Sequence, residues 1–247
     1  MSNSQINLPK TAFSMKANLP VREPEILEYW KKINLINRAR YYLAKASLSK
    51  STSIRAVSRH QVINLCKRFK IKSSKIYVIP VPIKVISKSF AVNKVTNRPR
   101  TIGLVGRIHE DRGVWDFVRI VKVIDSSIKD FKVLVIVAGN QRSNFLARLK
   151  SVVSNNRVIY LGQLSERELN NTWNKIGVLV SIAPVESYGR VMREALLAGV
   201  SVWATPTSGA KDLFKDWLKQ NDKLGGQHKI PRLSNSREFL EKLLKNN

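Results

Sequence analysis

The sequence predicts an α/β fold whose C-terminal part is a doubly wound parallel sheet. Between Thr101 and Ala204, five short, largely β-branched apolar runs alternate with four stretches of helical periodicity. Strands separated by helices of that length pair in parallel, since a hairpin needs only a tight turn. A second observation agrees: Gly106, Gly139 and Glu186 all fall just after an apolar run, at the carboxyl ends of strands, where open parallel sheets place their ligands.

Taken in order, residues 24–44 read as a long amphipathic helix, with Ile26, Trp30, Ile33 and Ile36 on one side and basic residues opposite. Residues 53–57 read as a strand, Ser58 as the cap of a helix over 59–69, and 75–80 as a further strand ended by Pro80 and Pro82. The polar segment 93–100 separates this part from a more regular alternation. There, strand 101–106 leads to helix 113–126, strand 132–138 to helix 142–154, and strand 157–161 to helix 165–176. Strand 178–182, a helix bearing Glu194, and strand 201–204 follow. The tail 236–245 reads as a capped helix with Phe239 and Leu243 inward. The expected organisation is a shortened N-terminal domain over 1–98, a C-terminal domain over 99–225 and a tail over 226–247.

At 247 residues, with 43% hydrophobic and 25% charged content, the chain is an ordinary globular sequence and not a disordered one. Its single cysteine, Cys66, cannot form an internal disulfide, and its place beside Val62 and Phe69 on one helix face predicts a buried thiol in a reducing compartment. No signal peptide opens the chain, and the longest apolar run, 133–138, is far too short to span a bilayer. A soluble cytoplasmic protein is expected, with peripheral attachment to the inner membrane face as the alternative that its charge suggests. The net charge is +27, and no Asp or Glu occurs in the 81 residues from Tyr29 through His109. Such a field attracts an anionic surface or polymer. Nucleic acid fits less well than lipid, because the chain lacks zinc-ligand spacing, an RNA-recognition aromatic motif and a basic zipper.

The stretch Ala183-Pro-Val-Glu-Ser-Tyr-Gly-Arg-Val-Met-Arg-Glu-Ala-Leu-Leu-Ala-Gly199 sets two carboxylates, Glu186 and Glu194, around a glycine that opens a helix. On one continuous helix they would stand about 80° and roughly 12 Å apart, too far to serve one small group. Glu186 therefore belongs to the loop before the helix. Amides left free at that helix start, near Gly189, would attract phosphate.

With these residues in place, the sequence resembles the retaining nucleotide-sugar glycosyltransferases of family 4, whose GT-B fold sets two Rossmann-like domains about a cleft. The resemblance runs in order through Ala56-Val-Ser58, Lys75-Ile-Tyr-Val-Ile-Pro80, Gly103-Leu-Val-Gly-Arg-Ile108 with Arg112-Gly113, Val158-Ile-Tyr-Leu-Gly162, and Glu186 through Gly199, continuing into Ala204-Thr205 and Ser208-Gly209. It implies that Glu186 approaches the transferred sugar and Glu194 holds the ribose hydroxyls, while Arg107 and Arg112 hold the diphosphate. Donor contacts are implied as well for Gly106, Gly139, Ser187, Tyr188, Gly189 and Arg190. Two guanidiniums can stabilise a departing diphosphate without a metal. No cluster of His, Asp or Cys has ligand spacing, so no metal or cofactor is expected beyond the nucleotide-diphosphate sugar as co-substrate.

Departures from the family pattern fall mainly on the acceptor side, with one, at Arg112, on the donor side. The start of the first domain with its glycine-rich loop has no counterpart, no histidine occurs before His60, and Arg112 stands where lysine is usual. His60 and His109 read as helix-start and loop residues. The sequence thus predicts a metal-independent hexosyltransferase with an unknown, anionic or membrane-borne acceptor. A non-catalytic or split subunit that needs a partner chain to complete its N-terminal domain is the alternative, and a nucleic-acid-binding protein is the third.

Overall fold

Parallel strands must be joined by crossovers, and the crossovers here are the predicted helices. The computed structural model describes residues 35–83, 99–109, 112–128, 130–138 and 142–223. The chain divides into two compact units, 1–79 and 80–247; the expected boundary at 98 and 99 abuts residues outside the described set.

In the first unit, α1 (Leu35–Lys50) leads to β1 (Ile54–Ala56), α2 (Arg59–Phe69) and β2 (Ile76–Val78). The two strands pair in parallel, Ile54 opposite Ile76 and Ala56 opposite Val78. Ser58 caps α2 as expected, its hydroxyl accepting from the Gln61 amide at 3.2 Å. Tyr41, Leu48, Ile54, Ala56, Leu65, Phe69 and Ile71 form the core of this unit.

Two expectations need correction here. The helix continues past residue 44 to Lys50, and it turns Tyr41 and Leu48 inward while Ile36 is exposed; Ile26, Trp30 and Ile33 lie outside the described residues. On α2 the buried positions are Gln61, Leu65 and Phe69, which rotates Cys66 to a half-buried place at the edge of the core.

The second unit runs β3 (Thr101–Arg107), α3 (Val114–Ser127), β4 (Lys132–Ala138), α4 (Arg142–Lys150), β5 (Val158–Tyr160), α5 (Glu166–Thr172), β6 (Val178–Ser181), α6 (Arg190–Leu197), β7 (Ser201–Ala204) and α7 (Ser208–Lys223). All five strands are parallel, in the order β5-β4-β3-β6-β7. Side chains of a central strand alternate between two cores. Val133, Val135 and Val137 of β4 pack with Val114, Phe117, Val121 and Ile124 of α3 and with Phe145 and Leu149 of α4. Leu134 and Ile136 face the other layer, with Met192 and Ala195 of α6 and Leu213 and Phe214 of α7. The result is a helix-sheet-helix sandwich, hydrophobic on both sheet faces, as a parallel sheet requires.

The expected helices 142–154 and 165–176 are shorter in the structure. The first ends at Lys150, before the weak helix formers of the following Ser-Val-Val-Ser. The second, opened by a capping box between Ser165 and Glu168, ends at Thr172 and tightens into a 3-10 turn that buries Trp173. The expected tail helix over 236–245 lies outside the described residues.

Candidate functional site

The strand order dictates where a ligand can sit. From β3 the chain moves outward through β4 to β5, then returns to the other side of β3 to lay down β6 and β7. The loops after β3 and β6 therefore leave the sheet in opposite directions, and their divergence opens a crevice at the carboxyl end. Arg107 ends β3, Arg112 follows it, and Glu186 follows β6.

Arg112 and Glu186 meet across this crevice, with Nη1 3.4 Å from Oε2 and both side chains partly buried. Gly113, the residue after Arg112, permits the approach. It adopts a left-handed φ of 69°, and a Cβ there would collide with the Ile182 carbonyl at the end of β6. Arg107 ends β3 exposed, with no carboxylate partner among the described residues, and the space over Gly106 is open. Gly139, at the end of β4, lies outside the described residues.

Glu186 has a second engagement. Its Oε1 accepts from the amides of Gly189 at 3.0 Å and Tyr188 at 3.3 Å. The expectation that amides near Gly189 stand free for phosphate is thus corrected: these two are taken by the carboxylate of their own loop, which satisfies part of the start of α6 as a capping side chain would.

Three further contacts hold this loop, and none had been given a role from the sequence. The Gly209 amide donates to the Glu186 carbonyl at 2.7 Å, and the Thr205 hydroxyl donates to the Ala183 carbonyl at 2.7 Å. A Cβ at Gly209 would lie 2.6 Å from the Tyr188 nitrogen, so only glycine lets the start of α7 pack this closely. Arg193 stacks its guanidinium 4.3 Å from the Tyr188 ring centroid while its Nε donates to the Tyr188 carbonyl. These links join residues five to 23 positions apart through a folded loop. Matching Thr205 and Gly209 to a motif located them, but spacing alone could not supply their function, and Arg193 gave no signal.

Glu194 sits one turn into α6, about 6 Å along the axis from Arg190. Only 18% of its side chain is accessible, and its Oε1 pairs with Arg190 Nε at 3.0 Å. Burial raises the Glu194 carboxyl above its ordinary pKa; Arg190 opposes this and Glu166 adds to it. A buried carboxylate with this surplus of acceptor capacity suits hydroxyl donors of a bound ligand. Ser187 and Tyr188 are partly buried in the loop between the two glutamates, and Arg190 is exposed at the helix start. Among the described residues, no three His, Cys, Asp or Glu gather in a way that could hold a metal ion.

Comparison with known proteins bears on the family and the fold. A family model described as "Glycosyl transferases group 1" matches residues 85–245. Among solved structures, the chain is similar to WaaG, a glycosyltransferase involved in lipopolysaccharide biosynthesis, at a TM-score of 0.63 and 16% identity over 88% of this chain and 61% of that one. It is similar to S. aureus TarM in complex with UDP at 0.63 and 14% identity, covering 87% and 41%. For Anabaena Alr3699/HepE with UDP and glucose the values are 0.60 and 14%, covering 85% and 56%. At these identities the likeness is one of fold, the GT-B fold. A 40-residue stretch, 16% of the chain, is 72% identical to the isoleucine–tRNA ligase of Pelagibacter ubique. The chain spans 4% of that ligase, which transfers nothing of its activity, and about two fifths to three fifths of the glycosyltransferase structures.

Proposed function

Since the chain belongs to the group 1 glycosyl transferases, we propose that it moves a sugar from a nucleotide-diphosphate donor with retained anomeric configuration. The observation that carries this reading is the meeting of Arg112 and Glu186 at the divergence of the β3 and β6 loops, with Arg107 ending β3 and Glu194 one turn into α6. A cation, a carboxylate and a buried hydroxyl acceptor are the groups a nucleotide sugar needs, in the order diphosphate, sugar and ribose. Solved relatives that contain UDP, or UDP and glucose, support the donor class.

In this reading the bond between the anomeric carbon and the β-phosphate oxygen breaks, one to an acceptor hydroxyl oxygen forms, and the hydroxyl proton passes to the leaving diphosphate. The leaving diphosphate gains negative charge, which Arg107 and Arg112 stabilise as charge-assisted hydrogen-bond donors. Glu186 lies against the sugar and stabilises the positive charge that develops at the anomeric carbon. Glu194 accepts from the ribose hydroxyls. The arginines perform the charge neutralisation that a divalent ion performs elsewhere, so the reaction proceeds without a metal. The acceptor is an anionic or membrane-borne molecule, in keeping with the basic N-terminal part.

A panel of UDP-, GDP- and ADP-sugars tests this by thermal shift and by donor hydrolysis. Stabilisation by one of them together with its slow hydrolysis supports the reading, and indifference to all three overturns it. A second reading is favoured by the first unit, whose described strands form a parallel sheet of only two. A sheet that small is marginal by itself, which suits a subunit whose N-terminal domain a partner chain completes. Donor binding without transfer, restored to transfer by an added chain, would favour that subunit reading.

A further inference from the structure

α1 carries two apolar faces, and among the described residues of its unit only one of them is packed. Tyr41 and Leu48 point into the core. On the opposite side, Leu35 is 80% exposed, Ile36 69%, Leu43 62% and Tyr42 50%, with Ala39 and Ala46 exposed between them. At 100° per residue these six positions fill one arc of about 120°, centred opposite the buried face, along about 16 Å of helix. Basic residues border the arc. Arg38 and Lys45 lie within about 60° of one edge, Arg40 within about 40° of the other, and Lys50 ends the stripe. No carboxylate interrupts this pattern anywhere from Tyr29 through His109.

We propose that this outward face of α1 is a docking surface for an anionic lipid bilayer, with Leu35, Ile36, Tyr42 and Leu43 at the level of the acyl boundary and the flanking arginines and lysines on the headgroups. The two halves of the observation select the occupant together. A basic surface alone would serve nucleic acid, but a phosphate backbone offers no apolar phase for three exposed aliphatic side chains. An apolar stripe alone would serve a protein partner, but a partner would need an acidic rim to match four cations. An anionic bilayer supplies both, and an interfacial helix with basic flanks is the form that lies in its plane. The apolar stripe runs along one side of α1, so the proposed attachment is lateral, and no described helix is long and apolar enough to cross the membrane. Each Lys or Arg near such a surface strengthens binding about fivefold, the equivalent of about 1 kcal/mol.

The test is flotation of the full chain with phosphatidylglycerol-containing vesicles against pure phosphatidylcholine vesicles, read without any donor, so that its outcome is independent of the glycosyl-transfer reading. The chain is expected to float with the anionic vesicles only. The exposed-face variant Ile36→Ser with Leu43→Ser should lose more than about tenfold of that partitioning, and Arg38→Glu with Lys45→Glu at least as much. Both should keep the wild-type circular dichroism spectrum and melting temperature, since none of these side chains is buried. Val123→Ser removes an exposed apolar residue of the other unit and should change nothing. Absence of flotation, flotation that both double variants retain, or equal loss in the Val123 control would overturn the proposal. So would a protein dimer in sedimentation that Ile36→Ser with Leu43→Ser converts to monomer, because the stripe would then be a protein interface.

Discussion

Arg112 and Glu186 reach each other from loops that follow adjacent parallel strands, Nη1 to Oε2 at 3.4 Å, and the same carboxylate holds the amides of Tyr188 and Gly189 through its other oxygen. Glu186 is thus both a structural cap for α6 and a charge in the crevice. Substitution can separate the two roles, because an amide side chain keeps a capping oxygen while losing the charge.

Glu186→Gln is expected to leave stability close to wild type and to lower turnover by a factor on the order of a hundred or more, the scale of losing an electrostatic group that acts in the transition state. Glu186→Ala should lose turnover similarly and also about 0.5–2 kcal/mol of stability, as the loop amides lose their acceptor. Rate measurements beside thermal melts of both variants check this. Equal activity in Gln and wild type would leave Glu186 with its capping role alone.

The elements that the sequence made legible are those whose periodicity nothing else opposes. The runs at 132–138 and 201–204 are apolar after their first residues, Lys132 and Ser201, and the structure has strands over these residues. Ser58 announced α2 because a hydroxyl before a helix has one obvious use. α1 was harder, since apolar residues on two opposite faces leave a periodicity argument without a unique inward side: Ile36, which spacing groups with the apolar residues, is exposed. The site was legible as a set of positions. That Glu186 would occupy the amides expected for phosphate follows from its carboxylate turning back onto amides two and three residues further on, which no spacing encodes. Thr205 and Gly209 act across more than 20 residues of chain.

Glu194→Gln should separate stability from binding. Unfolded, the carboxyl ionises at its ordinary value; folded, burial delays ionisation to a higher pH. The folded state therefore holds more protons between these values, and this group's contribution to stability falls as pH rises through the folded pKa. With glutamine in place, the melting temperature at neutral pH should equal or exceed wild type, the advantage vanishing near about pH 4. Affinity for the nucleotide should fall roughly tenfold or more, the loss of hydrogen bonds to a charged acceptor at about 1.5–3 kcal/mol. Melting curves across pH, with calorimetric titration of UDP, GDP and ADP, decide the matter; unchanged affinity for all three would remove Glu194 from the site.

Gly209→Ala is expected to disturb the crevice from outside it. The new methyl would stand 2.6 Å from the Tyr188 nitrogen and 2.9 Å from the Ser187 carbonyl carbon, both backbone atoms that cannot rotate away. Relief requires the Glu186 loop or the start of α7 to shift, at about 1–3 kcal/mol. Thermal melts should show that loss and donor titration a weaker affinity. Lys211→Ala, on the exposed side of the same helix, should show neither.

Arg107 and Arg112 are expected to act on the diphosphate and on no other part of the donor. Arg107→Ala and Arg112→Ala should each weaken a nucleoside diphosphate by about tenfold or more, the worth of a charge-assisted hydrogen bond, and leave the weak binding of the bare nucleoside unchanged. Arg112→Lys should recover part of the loss, because an ammonium keeps the charge but not the planar fork that can face both Glu186 and a phosphate. Removing Arg112 also releases Glu186 from its ion pair, so turnover in Arg112→Ala should fall further than affinity does, whereas in Arg107→Ala the two should fall together. Transfer by the wild-type protein should continue after exhaustive chelation, since two cationic side chains already stand at the leaving group. An absolute requirement for a divalent ion, or loss of nucleoside binding equal to that of the diphosphate, would take the arginines out of this role.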